Sequence, residues 1–235
     1  MSAPALALSF FDAAHDIYGT ARSGATVLFE GRTPVALAGG MAIETDGDGW
    51  RATLEGEMSL ALERVAGPVD LKGVRAHVVR VTGEARGRKV ECLGTLAETE
   101  VPPRWEELDA IRSISALVDD RHALVAVARR PRGAVGHGDE EVTARLVEED
   151  AVLEVENARV STVYDGGGRQ RSAGLELWLP GEEYPRRGSG LVIAGSSLDL
   201  DGIEVHVAVF RWRLDGREGI GAYELMLRTE PLAAA

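Results

Sequence analysis

The sequence predicts an all-β protein that consists of two related halves. Apolar and polar residues alternate over short stretches of the first half, for example at 50–54 and 58–62, and a period of two is typical of strands with one buried face. Glycine and proline separate these stretches, as at 39–40 and 67–68, and they favour tight turns. We therefore expect antiparallel strands joined by hairpins.

One segment departs from this alternation and predicts a helix. Apolar side chains recur every three positions at Trp105, Leu108, Ile111, Ile114 and Leu117. This spacing is typical of an amphipathic helix, and the proline pair at 102–103 suits its start. We expect one main helix that connects two β-rich halves. Strands resume after it at 123–128, 142–147, 152–163, 175–179, 191–193, 203–214 and 223–227.

A short internal repeat relates the two halves. Residues 70–78 (DLKGVRAHV) align with residues 199–207 (DLDGIEVHV) at an offset of 199 − 70 = 129. The repeat indicates duplication of a turn followed by a strand, although generic turn chemistry is an alternative. We therefore expect an N-terminal β-barrel at 1–102, a connecting helix at 103–120 and a C-terminal β-barrel at 121–235.

Composition and charge exclude several classes of protein. The 235 residues carry a net charge of −12 at pH 7, so a phosphate backbone is repelled and a nucleic-acid partner is not expected. The single cysteine, Cys92, cannot form an intramolecular disulfide. The first residues lack a basic region, and no apolar stretch approaches the ~20 residues that span a bilayer. We expect a cytoplasmic protein without a membrane span.

The sequence also lacks the common motifs for cofactors and metals. It has no G-x-x-x-x-G-K-[ST] loop and no G-x-G-x-x-G between a predicted strand and a helix. Its five histidines form no H-x-H or H-x-x-x-H pair. We expect no cofactor and no metal.

The predicted strand 203–214 has an aromatic face with one titratable group. Alternation places His206, Phe210 and Trp212 on the same side. Such a face suits a pocket wall, because apolar area supplies affinity while one polar group orients the ligand. The alternative is an ordinary core face in which His206 binds a carbonyl oxygen.

Two glutamates are candidates for proton donation. Glu176 alternates onto the face of Trp178, and Glu224 lies on a predicted strand with apolar neighbours. A carboxyl group buried beside apolar side chains can act as a general acid. The alternative is the usual exposed carboxylate. We name Glu176, Glu224 and His206 as catalytic candidates, and Trp178, Phe210 and Trp212 as ligand contacts.

The N-terminal segment 10–19 is the densest cluster of aromatic and ionisable residues in the chain. In the functional interpretation, His15 and Tyr18 line a ligand site together with Asp16. In the structural alternative, the aromatic residues close one end of a barrel while His15 and Asp16 make local hydrogen bonds.

The segment 184–190 contains two adjacent arginines between proline and glycine residues. It predicts a mobile loop at a pocket mouth, where Arg186 or Arg187 could bind a carboxylate. The alternative is a solvated loop whose charges bind nothing.

Two segments carry a resemblance to a known family. They are residues 11–19 (FDAAHDIYG), with Arg22 after them, and residues 215–224 (DGREGIGAYE). Both are similar to the ends of the lipocalin-like superfamily that contains the bacterial carotenoid 1,2-hydratases (hydroxyneurosporene synthases) and the AttH-like proteins. The resemblance implies two lipocalin-like antiparallel β-barrels in tandem. It also implies a reaction in which a carboxylic acid protonates an alkene and water captures the cation. Tyr223, within the second segment, is a further candidate ligand contact.

These observations predict binding of a small lipophilic molecule, isoprenoid- or polyketide-like, in a lipocalin-like pocket. One alternative is a hydratase or cyclase that acts on such a molecule, with a buried glutamate or aspartate as the acid and a histidine or tyrosine orienting it. Another is a β module that binds a protein through an exposed edge or apolar patch. A closed cavity with a desolvated carboxyl favours the enzyme, an apolar cavity without one favours the carrier, and a filled barrel favours the module. The sequence sets no oligomeric state.

Overall fold

The computed structural model describes residues 4–22, 24–135, 137–149, 151–200 and 202–229. Strands dominate this part of the chain, and its one helical element is a 3-10 turn at His137–Asp139. Two curled antiparallel half-barrel sheets occur in tandem. The chain divides into two compact units, Met1–Pro102 with Leu117–Ala123 and Leu146–Leu153, and Pro103–Ala116 with Leu124–Arg145 and Glu154–Ala235. The predicted all-β class and its two tandem halves are confirmed.

In the described residues the first sheet has ten strands, nine of which form one continuous path. The strands are β1 (Ala5–Asp12), β2 (Ile17–Arg22), β3 (Ala25–Glu30), β4 (Thr33–Leu37), β5 (Ala42–Asp46), β6 (Gly49–Leu54), β7 (Met58–Arg64), β8 (Val69–Asp70), β9 (Val74–Ala85) and β10 (Arg88–Thr99). Their order is β4-β3-β2-β1-β10-β9-β7-β6-β5, and β8 pairs with β9.

The second sheet has nine strands within the part of the chain that the structure describes. They are β11 (Leu108–Leu117), β12 (His122–Pro131), β13 (Glu141–Glu148), β14 (Ala151–Glu154), β15 (Asn157–Tyr164), β16 (Gln170–Trp178), β17 (Arg186–Leu200), β18 (Ile203–Leu214) and β19 (Arg217–Arg228). Their order is β14-β13-β12-β11-β19-β18-β17-β16-β15. Each strand in this order has a counterpart at the same place in the order of the first sheet.

The predicted repeat occupies equivalent positions in the two sheets. Asp70 pairs with Arg75 at the start of β9, and Asp199 pairs with Glu204 at the start of β18. The offset of 129 also relates the bounds of the hairpins β9–β10 and β18–β19 (203 − 74 and 228 − 99). The prediction that these segments occupy equivalent topological positions is confirmed.

The two hairpins also share their turn. Both residues of each turn have positive φ, at 50° and 73° for Arg86 and Gly87 and at 47° and 83° for Asp215 and Gly216. Two consecutive positive φ angles define the type I′ turn, whose twist matches that of paired strands. The turn sequences therefore fix the register of both hairpins.

The predicted connecting helix at 103–120 is wrong, because Leu108–Leu117 forms strand β11. Side chains on both faces of this strand are buried, including Ala110, Ile111, Arg112 and Ile114. A strand buried on both faces has no alternation of polar and apolar residues, so periodicity does not distinguish it from a helix. Pairing with β12 and β19 supplies its backbone hydrogen bonds, and this tertiary pairing decides the outcome.

An apolar cluster fills the interior of the first unit. It includes Phe10, Trp50, Leu60 and Leu96, all buried, and Cys92 packs against it. Burial raises the pKa of the Cys92 thiol to about 12, so the thiol acts as a small apolar side chain. Within the described ranges, no helix has the length and apolar composition needed to cross a membrane.

Candidate functional site

Strand pairing divides the predicted site residues of the second unit between two faces of the sheet. Directly paired residues share a face, and Ala208 pairs with Tyr223 while Val207 pairs with Glu224. One face, called the Trp212 face, carries His206, Phe210, Trp212 and Tyr223. Glu224 therefore lies on the opposite face from these aromatic residues.

Glu176 and Trp178 also lie opposite Trp212. Glu176 pairs with Arg187, and Ser189, two residues further along β17, pairs with Arg213. Because Arg213 alternates with Trp212 on β18, this second face, called the Glu176 face, does not contain Phe210, Trp212 or Tyr223. The sheet thus separates the predicted acids from the predicted pocket wall.

The Trp212 face is closely packed. The rings of Phe210 and Trp212 stack at 5.2 Å, and those of Phe210 and Tyr223 lie 5.4 Å apart. Gly190 on the neighbouring strand makes room for the indole, since a Cβ there would lie 2.6 Å from Trp212. His206 is buried, and its Nδ1 lies 2.7 Å from the hydroxyl of Ser197.

A buried polar cluster surrounds Tyr223. Arg112 Nη1 donates to the Tyr223 hydroxyl at 3.2 Å and to Thr162 Oγ1 at 3.1 Å, and these two oxygens lie 2.5 Å apart. Arg112 also forms an ion pair with Glu140, whose other oxygen lies 2.9 Å from Arg130 Nη2. Burial raises the pKa of Tyr223, and the guanidinium of Arg112 opposes this shift.

The sequence interpretation did not identify Arg112 or Glu140. Arg112 is the one charged residue in the stretch 110–118 (AIRSISALV), which is otherwise apolar or small. Charged side chains are almost never fully buried unless they are paired. A lone arginine inside an apolar strand was therefore the available signal, but its partner is distant in sequence and could not be inferred.

The second unit contains a cavity of about 920 Å³. The segment 138–142, parts of β15, β16 and β17, and the residues Arg213 and Gly216 line it. Lining residues that belong to the Glu176 face are exposed or half-buried, whereas Val160 and Leu175, which belong to the Trp212 face, are buried. The cavity therefore opens on the Glu176 face. Among the nine predicted site residues, Glu176 lines it.

Three small residues form the floor of this cavity. Ser161 pairs with Gly174, and Gly174 pairs with Ser189, so the three lie side by side across β15, β16 and β17. A Cβ on Gly174 would lie 2.7 Å from Ser161 Oγ. The small-residue floor leaves the space that larger side chains would fill.

A row of charged residues lies beside the floor. Arg159 pairs with Glu176, and Glu176 pairs with Arg187; these three are called the arginine row. Arg187 Nη2 lies 3.4 Å from Glu176 Oε1, and the guanidinium of Arg159 lies 5.3 Å from the centre of the Trp178 ring. The predicted loop at 184–190 is wrong from Arg186 onward, because β17 begins there and holds Arg187 at the cavity.

His15 and Tyr18 belong to the first unit. Asp12 is buried and accepts hydrogen bonds from the backbone N–H groups of His15 (3.1 Å) and Glu91 (3.0 Å), and its carboxylate lies 2.9 Å from His15 Nδ1. The buried Tyr18 donates its hydroxyl to Asp16 at 2.9 Å. These contacts close the turn between β1 and β2.

Two solved structures share the fold of this chain. A protein assigned as AttH from Nitrosomonas europaea is 13% identical, with a TM-score of 0.63 over 96% of this chain and 92% of its own. Kievitone hydratase from Nectria haematococca is 8% identical, with a TM-score of 0.58 over 97% of this chain and 89% of its own. No family model matches the chain, and no curated protein matches it by sequence. At these identities the likeness shows the fold, which is the fold that the sequence resemblance implied.

Proposed function

We propose that the protein binds a small lipophilic molecule in the cavity on the Glu176 face of the second unit. The observation that carries this proposal is a cavity of about 920 Å³ above the small-residue floor. Sites for small molecules commonly have volumes of about 300–1,000 Å³ and combine apolar surface with a few polar groups.

Exposed apolar side chains next to the floor support a lipophilic ligand. Val163 and Leu191 both pair with Ser172, so they lie on the Glu176 face, two residues beyond the floor along their strands. They are 57% and 66% exposed. We call Val163, Ser172 and Leu191 the apolar row. A ligand that extends over this row would bury apolar surface, at a gain of roughly 25 cal/mol per Å².

Titration calorimetry with isoprenoid alcohols, fatty acids and polyketides tests the proposal. Saturable binding should be lost in Gly174→Leu and in Ser189→Leu, because either side chain fills the cavity from its floor. Ser59→Leu adds a leucine at an exposed position of β7 in the first unit, and this variant should bind as the parent protein does. No binding across the panel, or unchanged binding by both cavity variants, would refute the proposal.

Tryptophan fluorescence distinguishes this cavity from the Trp212 face. Trp178 is partly exposed and stacks with Arg159 of the arginine row, whereas Trp212 is buried. A ligand in the cavity should change the emission of the parent and of Trp212→Phe, but that change should be much smaller in Trp178→Phe. The reverse pattern would place the ligand on the Trp212 face, where His206 and Phe210 would then be its contacts.

A second candidate function is the addition of water to a bound molecule. The Tyr223 cluster favours it, because Glu140 lines the cavity and is joined through Arg112 to a buried tyrosine. A carboxylate there could orient water against an activated double bond, and one of the solved structures with this fold is a hydratase. Incorporation of oxygen from labelled water into an unsaturated ligand, abolished in Glu140→Gln, would support this activity.

A further inference from the structure

We infer that the ligand of this cavity carries an oxyanion, a carboxylate or a phosphate, which binds to Arg159, Arg187 and Arg213. The inference rests on the proposed function, since it concerns the ligand of the same cavity. It specifies the chemical class of that ligand and its orientation across the sheet.

The charges around the cavity are unusual for this chain. Three arginines line it, Arg159, Arg187 and Arg213, although the whole protein has a net charge of −12. Arg159 and Arg213 form no ion pair with any residue in the described ranges. A local excess of positive charge on an acidic protein concentrates small anions at that position.

The two glutamates that line the cavity do not cancel this charge. Glu140 is ion-paired with Arg112 and Arg130, and neither of these arginines belongs to the lining. Among the described residues, Glu176 forms an ion pair with Arg187 alone, at 3.4 Å. Guanidinium groups match the geometry of carboxylate and phosphate oxygens and can donate two parallel hydrogen bonds to them. An anionic head group is therefore the complement of this lining.

The positions of the arginine row and the apolar row on the Glu176 face also predict the orientation of the ligand. Along β15, Arg159 of the arginine row and Val163 of the apolar row are four residues apart, and Ser161 of the floor lies between them. At ~3.4 Å per residue the two rows are about 14 Å apart. A molecule with an anionic head and an apolar tail can place the head at the arginine row, cross the floor and lay the tail on Val163 and Leu191.

Substitution of Glu176 tests the inference, because the inference predicts whether the affinity for an anion rises or falls. When no ligand is bound, the Glu176 carboxylate forms an ion pair with Arg187, so it competes with a ligand oxyanion for the same guanidinium. Glu176→Gln removes the competing charge and should strengthen binding of an anion several-fold. If Glu176 instead contacts the ligand as an acid or as an acceptor, the same substitution weakens binding.

Titration calorimetry with decanoate, decanol and decyl phosphate at low ionic strength tests the inference. We expect at least one of the two anions to bind about tenfold or more tightly than decanol, and its affinity to fall as salt is added. The tighter anion identifies the head group as carboxylate or phosphate. Arg187→Gln and Arg213→Gln should each weaken anion binding about five- to tenfold and leave decanol binding unchanged.

Arg171→Gln is the matched control for these substitutions. Arg171 is exposed on β16 and does not line the cavity, so its loss should not change the affinity. If decanol binds as tightly as both anions, or if Arg171→Gln weakens anion binding as much as Arg187→Gln, the inference is wrong while the proposed function stands. If none of the three molecules binds, the inference and the proposed function both fail.

Discussion

His77 and His206 occupy the same position in the two sheets. His77 pairs with Leu96 and His206 pairs with Leu225, and both members of the pair differ by 129 residues (206 − 77 and 225 − 96). Their side-chain partners differ, since the His77 ring lies 4.8 Å from Trp50 whereas His206 binds Ser197 at 2.7 Å. The two histidines therefore share a backbone position, but the side chains around their imidazole rings differ.

We expect His77 to make the first unit less stable below neutral pH. Burial lowers the pKa of His77 from 6.5, and Arg64 and Arg75 lower it further, while Glu98 opposes them. The unfolded chain then binds a proton more readily than the folded chain, so stability is present above pH ~6.5 and is lost as pH falls below it. Urea midpoints measured near pH 5 and pH 7.5 should differ less in His77→Gln than in the parent. An equal difference in both proteins would contradict this prediction.

Asp12 should contribute stability that depends on its charge. Burial alone raises its pKa, but hydrogen bonds from the Glu91 N–H and from His15 lower it below 3.8 overall. Asp12→Asn should cost about 1–3 kcal/mol in unfolding free energy at neutral pH. A depressed folded pKa means that this contribution is lost as pH falls below ~3.8, where parent and variant should converge. Asp46→Asn removes an exposed ion pair with Arg51 and should cost less than about 1 kcal/mol.

Replacing only one member of the ion pair between Arg112 and Glu140 should lower the free energy of unfolding substantially. Both side chains are almost completely buried, so Arg112→Met removes the buried partner of the Glu140 carboxylate and leaves it the less buried Arg130. This change should destabilise the protein by up to about 3–5 kcal/mol. Combining it with Glu140→Met removes the incompletely compensated charge and should recover much of this loss in urea unfolding. Costs that simply add in the double variant would show that the two side chains do not stabilise each other.

Gly190 should not tolerate even a methyl group. A Cβ there would lie 2.6 Å from the Trp212 ring and 2.8 Å from Phe210, so Gly190→Ala should lower the unfolding free energy by about 1–3 kcal/mol through overpacking. Gly195 on the same strand is the control, because its Cβ would meet no atom closer than 3.5 Å. Similar thermal midpoints for the two alanine variants would contradict the packing described for the Trp212 face.

Features that neighbouring residues in the sequence specify were predicted correctly, whereas features that depend on pairing between distant strands were not. The repeat at 70–78 and 199–207 was visible because a turn and its strand are specified locally, and the structure places both at equivalent positions. The strand at Leu108–Leu117 was mistaken for a helix because burial on both faces removes the alternation that marks a strand. The predicted roles of His206, Glu176 and Trp212 remain predictions.

The sequence by itself determined the β class, the two halves and the hairpin registers, because alternation and turn residues act over a few positions of the chain. Only the tertiary structure decided which side chains meet. Strand pairing turned Glu176 and Trp212 to opposite faces and placed Ser161, Gly174 and Ser189 side by side as the floor of a cavity. It also joined Arg112 to Glu140 and Tyr223 across as many as 111 residues. Such contacts depend on which strands become neighbours. Burial of side chains across the whole sheet determines that order, and no local sequence pattern does.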